Sequence, residues 1–115
     1  MKKTLAPPDS LQQEYARLRK SLAQIGYITQ GTVLDRATLR PPRSGYQWTR
    51  KVAGKTITVA LSGPQFEAFS QAVENERNLW KTIRQMENIS RRILFESQPH
   101  TGRRKRLSHR VLGLI

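Results

Sequence analysis

Residues 46–61 read YQWTRKVAGKTITVAL. Side-chain character alternates on either side of Ala53-Gly54, and period two is the mark of a strand with one buried face. A small pair containing glycine between two such runs predicts a β-hairpin. Pairing the arms outward from the tip sets Val52 against Lys55, Arg50 against Ile57, Trp48 against Val59 and Tyr46 against Leu61. Six of these eight are apolar or aromatic, and all eight share a face. The opposite face holds Gln47, Thr49, Lys51, Thr56, Thr58 and Ala60. A slip of one residue would put Tyr46 and Trp48 beside threonines and mix the two faces, so the first register is expected. Ala-Gly turns a chain less readily than Asn-Gly, which leaves room for an extra residue at the tip.

The register decides the job of Trp48. An aromatic residue in a basic ribbon could stack on a nucleobase, but opposite Val59 it is expected to pack in the core. The polar face is then what remains for a partner. Gln47, Thr49, Lys51, Thr56 and Thr58 can hydrogen-bond to phosphates and base edges, and a two-stranded ribbon fits a major groove. Arg50 and Lys55, near the tip, would add phosphate contacts. Threonines also favour strands on a merely solvated face, so the choice rests on the surrounding charge.

That charge is large. The chain has 115 residues, 21 Lys and Arg against 8 Asp and Glu, and a net charge of +13. Such a balance favours a polyanionic partner over a solvated basic surface, and nucleic acid is the commonest polyanion. The charge is also segregated. Residues 1–61 hold 11 basic and 3 acidic side chains, 62–97 hold 5 and 5, and 98–115 hold 5 and none. With no cysteine there is no disulfide, thiolate or cysteine-zinc chemistry, which fits a cytoplasmic protein. No apolar run is long enough to span a bilayer, and MKKTLAPP lacks the apolar core of a secretory leader.

Working outward from the hairpin, the length suits one domain. Residues 1–8 read as a disordered lead-in, 9–97 as a single α+β domain and 98–115 as a basic, flexible tail. Asp9 or Ser10 can cap a first helix whose apolar stripe is Leu11, Tyr15, Leu18, Leu22 and Ile25, with Gly26 as its stop. YITQGTVL (27–34) predicts a strand, with Gly31 marking a bulge or a close backbone approach. RATLRPPRSG (36–45) is a loop, since its two prolines block helix and ladder alike, and it carries Arg40 and Arg43. Ser62 and Gln65 form a capping-box pattern. From there to about Ser97 neither proline nor glycine interrupts beyond the first turn. Phe66, Phe69, Val73, Trp80, Ile83, Met86 and Ile93 recur at helical spacings.

The expected fold is therefore an N-terminal helix, a small three-stranded antiparallel sheet that includes the hairpin, and a long C-terminal helix. The long helix exceeds what one short helix and a small sheet can cover, so it is expected to project, to pair with a second copy or to dock on a protein partner. Glu76, Glu87 and Ser90 break its stripe and argue against a regular coiled coil. In the tail, Arg103, Arg104, Lys105 and Arg106 form a cluster suited to phosphates.

Nothing in the pattern points to catalysis. The two histidines, His100 and His109, fall in the tail, and the carboxylates are scattered along helices. No phosphate-binding glycine loop follows a strand, and no ligand set converges on a metal or cofactor. A non-enzymatic protein is expected, without cofactor or metal.

The order LxxIGYITQGTVL, a Pro/Arg loop, GYQWTRKVAGKTITVALS and a helix reading FxxFxxAVENxRNLW resembles a family of short bacterial and archaeal proteins. That family is a domain of unknown function often found among mobile-element genes, and the resemblance covers roughly residues 11–97. Some of its members carry clustered cysteines in the loop before the hairpin, suggesting a metal knuckle; RATLRPPRSG has none, so no metal role carries over. More loosely, Gly45-Tyr46-Gln47-Trp48 and Gly54-Lys55 are similar to the "GxW … GK" hairpin of the arm-type DNA-binding domain of tyrosine integrases. That domain is a three-stranded sheet backed by a helix, and the likeness implies the same use of the polar sheet face.

The reading that follows is a nucleic-acid-binding protein, DNA ahead of RNA, accessory to a mobile element and nucleoid-associated. One alternative is a protein–protein adaptor or subunit that docks through the helix over 62–97 and the apolar C-terminus. Another is an RNA- or ribosome-associated protein that uses the same basic surfaces.

Overall fold

The structure, a computed structural model, describes residues 9–98, 100, 102 and 107–113. The hairpin forms in the register that the alternation sets. Strands β2 (Tyr46–Val52) and β3 (Lys55–Leu61) pair antiparallel, with Tyr46 opposite Leu61, Trp48 opposite Val59 and Val52 opposite Lys55. No extra residue sits at the tip. Ala53 and Gly54 have φ of 52° and 80°, the double left-handed geometry of a two-residue type I′ turn. That turn matches the twist of the arms closely enough to hold Ala53 where its Cβ costs about 1 kcal/mol.

Strand β1 (Thr32–Asp35) pairs antiparallel with β2, Val33 opposite Trp48, and the sheet order is β1-β2-β3. The strand expected over 27–34 is thus realised only in its second half. Residues ahead of it bond to the long helix instead: Thr29 N–H donates to Ala72 O at 3.3 Å, and Asn75 Nδ2 donates to Tyr27 O at 2.9 Å. Gly31 is where the chain changes partners. Its φ is +118°, and a Cβ there would lie 2.6 Å from Thr49 O and collide with Trp48 Nε1. The close approach lets the Trp48 indole N–H donate to Gln30 O at 2.9 Å.

The long helix, α2, runs Gly63–Ser97. Its start is a complete capping box: Gln65 N–H donates to Ser62 Oγ at 3.2 Å, and Ser62 N–H donates to Gln65 Oε1 at 2.9 Å. The chain divides into two compact units, residues 25–79 and the remainder. In the 25–79 unit the first turns of α2 cover the apolar sheet face. Tyr46 stacks on Phe66 with ring centroids 4.3 Å apart, and Trp48 tilts against Phe69 at 5.5 Å. Leu61 and Val73 are buried beside them. Ile57 and Val59, which share this face, stay 42% and 44% exposed. They lie on the edge strand, while the aromatic contacts from α2 fall on β2, so the apolar face is only partly covered.

The other unit pairs α1 (Asp9–Leu22) with the second half of α2. Leu11, Leu18 and Ile89 are buried together, with Tyr15, Met86 and Ile93 packed against them. Helix α1 stops at Leu22 rather than at Gly26. Ser21 Oγ–H donates to Leu18 O at 2.6 Å, while Ala23 and Gln24 N–H donate to Lys20 and Ser21 O, tightening and ending the last turn. Near the C-terminus, within the stretch expected to be flexible tail, a short helix α3 (His109–Leu112) forms. Ser108 Oγ caps it by accepting from Val111 N–H, and Arg91 Nε donates to Leu112 O at 2.7 Å. Arg91 also donates from Nη2 to Asn88 Oδ1. Among the described residues no helix is long and apolar enough to cross a membrane.

Two substitutions test the Gly31–Trp48 packing. Gly31→Ala should cost more than about 2 kcal/mol, since strain and clash add. Trp48→Ala should cost roughly 2–4 kcal/mol, less than for a fully buried tryptophan. Ala53→Asn should instead raise stability, by up to ~1 kcal/mol, because asparagine tolerates the left-handed region. Urea titrations followed by far-ultraviolet circular dichroism give all three values.

Candidate nucleic-acid interface

Directly opposed residues of an antiparallel pair share a face, so the ladder fixes the composition of the polar side. Gln47 lies opposite Ala60, Thr49 opposite Thr58 and Lys51 opposite Thr56. Strand β1 extends this face by Thr32, opposite Thr49, and Leu34, opposite Gln47. The row Thr32-Thr49-Thr58 therefore crosses all three strands. Beside it lies a shallow, open basin of about 430 Å³, lined by Gln30, Gly31, Thr32, Thr49, Arg50, Lys51 and Thr56. Hydroxyls that both donate and accept, next to a primary ammonium, form a surface that can hydrogen-bond to phosphate oxygens and base edges alike.

The sequence-derived residues fall into four places. Gln47, Thr49, Lys51, Thr56 and Thr58 share the polar face. Arg50 and Lys55 are exposed near the tip, but the alternation sets them on the Trp48 side. Arg40 and Arg43 lie on the loop between β1 and β2, at the far end of β2 from the tip. Seven residues of strand separate those two ends by about 20 Å. Arg103, Arg104, Lys105 and Arg106 lie outside the described residues.

The arginine loop is held closed on Arg36. Arg36 N–H donates to Gly45 O at 2.9 Å, and Arg36 O accepts from Leu39 and Arg43 N–H at 3.1 and 3.0 Å. Asp35 starts the following 3₁₀ turn (Arg36–Thr38) by accepting from Ala37 N–H at 3.0 Å. Arg36 Nε donates to Gln47 Oε1 at 3.1 Å, so one residue both closes the loop and orients a polar-face side chain. Gln47 consequently keeps its amide N–H₂ for any partner.

Electrostatically, residues 32–61 carry Arg36, Arg40, Arg43, Arg50, Lys51 and Lys55 against the single carboxylate Asp35. The ion pairs among the described residues are Arg17–Glu14 at 3.3 Å and Arg77–Glu74 at 3.6 Å, and neither touches these six cations. Among the described residues none of the six is ion-paired, so their charge acts on the surrounding surface within a Debye length, roughly 8 Å at physiological salt.

Gln30, Gly31, Thr32 and the bridging role of Arg36 do not stand out from the hairpin pattern. Thr32 is legible in principle, because the alternation Thr32-Val33-Leu34 against Thr49-Trp48-Gln47 continues the period of the hairpin. Gly31 is expected to permit a close approach, and its partner, the Trp48 ring, is visible only once β1 is paired.

No protein-family model, curated protein or solved structure matches the chain. The residues of the polar face and its loop therefore carry the functional argument by themselves. Among the described residues no group of three or more His, Cys, Asp or Glu could hold a metal ion.

Proposed function

We propose that this chain is a non-enzymatic nucleic-acid-binding protein that engages DNA, ahead of RNA, through the polar face of its sheet. One observation carries the reading: the cross-strand rows Thr32-Thr49-Thr58 and Lys51-Thr56 present hydroxyls and an ammonium on one face of a chain with net charge +13. Gln47, Thr49, Lys51, Thr56 and Thr58 would enter a groove, and Arg50 and Lys55 would rest on phosphates beside the tip. Arg40 and Arg43 would reach the backbone from the opposite end of β2, and Arg103, Arg104, Lys105 and Arg106 would add sequence-independent attraction. A role accessory to a mobile element, in a nucleoid-associated setting, follows from the resemblance to a mobile-element family and to integrase arm-binding domains.

A second reading, a protein–protein adaptor, draws on a different observation. Tyr27 is 92% exposed and Ile28 48% exposed, in the same unit as the open Ile57 and Val59. Exposed apolar side chains of this size suit a protein contact as well as a groove wall. The RNA-associated alternative shares the cationic surface and is separated by competition.

Binding of duplex DNA measured across a salt series should give a steep negative slope of log affinity against log salt. A flat slope, or no binding at low salt, would sink the reading. Lys51→Ala with Lys55→Ala should reduce the slope by about 2, one for each phosphate that is no longer neutralised. Thr49→Val with Thr58→Val keeps β-branching while removing both hydroxyls. It should weaken binding roughly tenfold with the salt slope unchanged, which is about 1.4 kcal/mol for the two missing hydrogen bonds together. Single-stranded RNA that outcompetes duplex DNA at equal salt would move the assignment to RNA. Recovery of a protein partner that survives nuclease treatment, with no DNA binding, would favour the adaptor.

A further inference from the structure

The hydrogen-bonded pairs of an antiparallel ladder recur at every second residue. The two-residue turn makes Val52–Lys55 such a pair, so the backbone groups of Arg50, Trp48 and Tyr46 also point at β3. Those of Gln47, Thr49 and Lys51 point the other way, toward β1. Gln47 and Thr49 meet Leu34 and Thr32 there. The next partner in that ladder, for Lys51, would be Gln30. Gly31 prevents it: with φ of +118° it turns the chain aside, and Gln30 O accepts from the Trp48 indole N–H at 2.9 Å instead. Thr29 N–H has by then gone over to Ala72 O. Strand β1 therefore ends opposite Thr49 while β2 runs on to Val52, and among the described residues nothing accepts from Lys51 N–H.

The basin of about 430 Å³ opens at this step from three strands to two. Thr32, Thr49, Lys51 and Thr56, all on the polar face, border it. The hydroxyls of Thr32, Thr49 and Thr56 have no partner among the described residues, whereas those of Thr29 and Thr38 donate to carbonyls. No carboxylate lines the basin. Asp35, the single acid of residues 32–61, stands at the other end of β1 and accepts from Ala37 N–H.

We infer that this basin holds one phosphate group of the bound nucleic acid, with Lys51 N–H as its fixed donor and the threonine hydroxyls and the Lys51 ammonium around it. The inference rests on the nucleic-acid reading above and adds the point at which the backbone is gripped. A base edge presents donors as well as acceptors, but the Lys51 N–H and ammonium can only donate and the hydroxyls are free to do so. Donors without a competing carboxylate select an acceptor-rich anion, and hydrogen bonds to a charged acceptor are the stronger kind. The main-chain N–H is held in place by the ladder on either side of it, so it loses no side-chain freedom when it binds. Gly31 and the Trp48 indole, on the packed side of the sheet, thereby create a donor on the edge that the polar face uses.

Amide nuclear magnetic resonance on the nucleic-acid-free chain tests the basin. Slightly acidic pH keeps exposed amides visible and makes inorganic phosphate, like a phosphodiester, a monoanion. Titrated against chloride at constant ionic strength, inorganic phosphate should move the Lys51 amide proton downfield along a saturating curve, with Thr32 and Thr49 following. The Arg40 and Arg43 amides should show no saturation. Thr32→Val with Thr56→Val keeps β-branching at both positions and should weaken the phosphate response of Lys51 at least fivefold, in a spectrum otherwise as dispersed as that of the unaltered chain. Duplex DNA should produce the same downfield displacement of Lys51, after which inorganic phosphate adds nothing. Absence of a saturating shift, an equal shift with chloride, or an undiminished one in the valine variant would overturn the proposal. DNA that binds without moving Lys51 would overturn it while leaving the reading of the sheet intact. Saturation by phosphate in a chain that binds no DNA would overturn the nucleic-acid reading and make free phosphate compounds the ligand.

Discussion

Two successive residues with positive φ, Ala53 and Gly54, hold the hairpin in one register, and the rest of the 25–79 unit depends on that register. With Val52 locked to Lys55, the aromatic side chains of β2 fall on the face covered by α2, and the threonines fall on the other. A shift of one residue would set Trp48 among hydroxyls and remove both of its contacts, the Phe69 ring and the Gln30 carbonyl. The fold and the proposed interface are thus two sides of one geometric choice. Neither can be altered through the turn without the other.

The same choice explains what was legible in the sequence. Period-two alternation in residues 46–61 names every cross-strand pair, because the side-chain period of a strand admits no intermediate solution. The Ser62–Gln65 capping box and the apolar spacing place the long helix to within a residue. What escaped depends on partners remote in sequence. Residues 27–31 have strand composition, yet their backbone groups bond to Ala72 and Asn75 of α2 rather than to β2. Local composition cannot tell which of two neighbours a backbone amide will meet. The early stop of α1 has a similar cause, since the Ser21 hydroxyl competes for a helix carbonyl in a turn whose apolar spacing still reads as helix. Ile57 and Val59 read as core by pattern, but coverage depends on where the aromatic contacts of α2 fall.

The candidate site divides along the same line. Gln47, Thr49, Lys51, Thr56 and Thr58 could be assigned to one face from spacing alone. The contribution of Thr32 and the link from Arg36 to Gln47 required β1 and its turn to be placed. Charge tells a consistent story across the chain. Among the described residues no ion pair engages the cations of residues 32–61, whereas the acidic residues sit largely on the long helix, where Glu74 is engaged by Arg77. Cationic surface and neutral helix are therefore separate provinces, suited to different kinds of contact.

The two tryptophans fall one to each unit, and their surroundings differ. Trp48 is half-buried against Phe69 with its indole N–H on a carbonyl, whereas Trp80 is 48% exposed. An indole in an apolar, hydrogen-bonded setting emits to the blue of one in contact with water. The chain thus carries an intrinsic fluorophore in each compact unit, distinguishable by wavelength. Phenylalanine at either position would leave a single optical report on one unit at a time, from which the cooperativity of the two can be read without any added label.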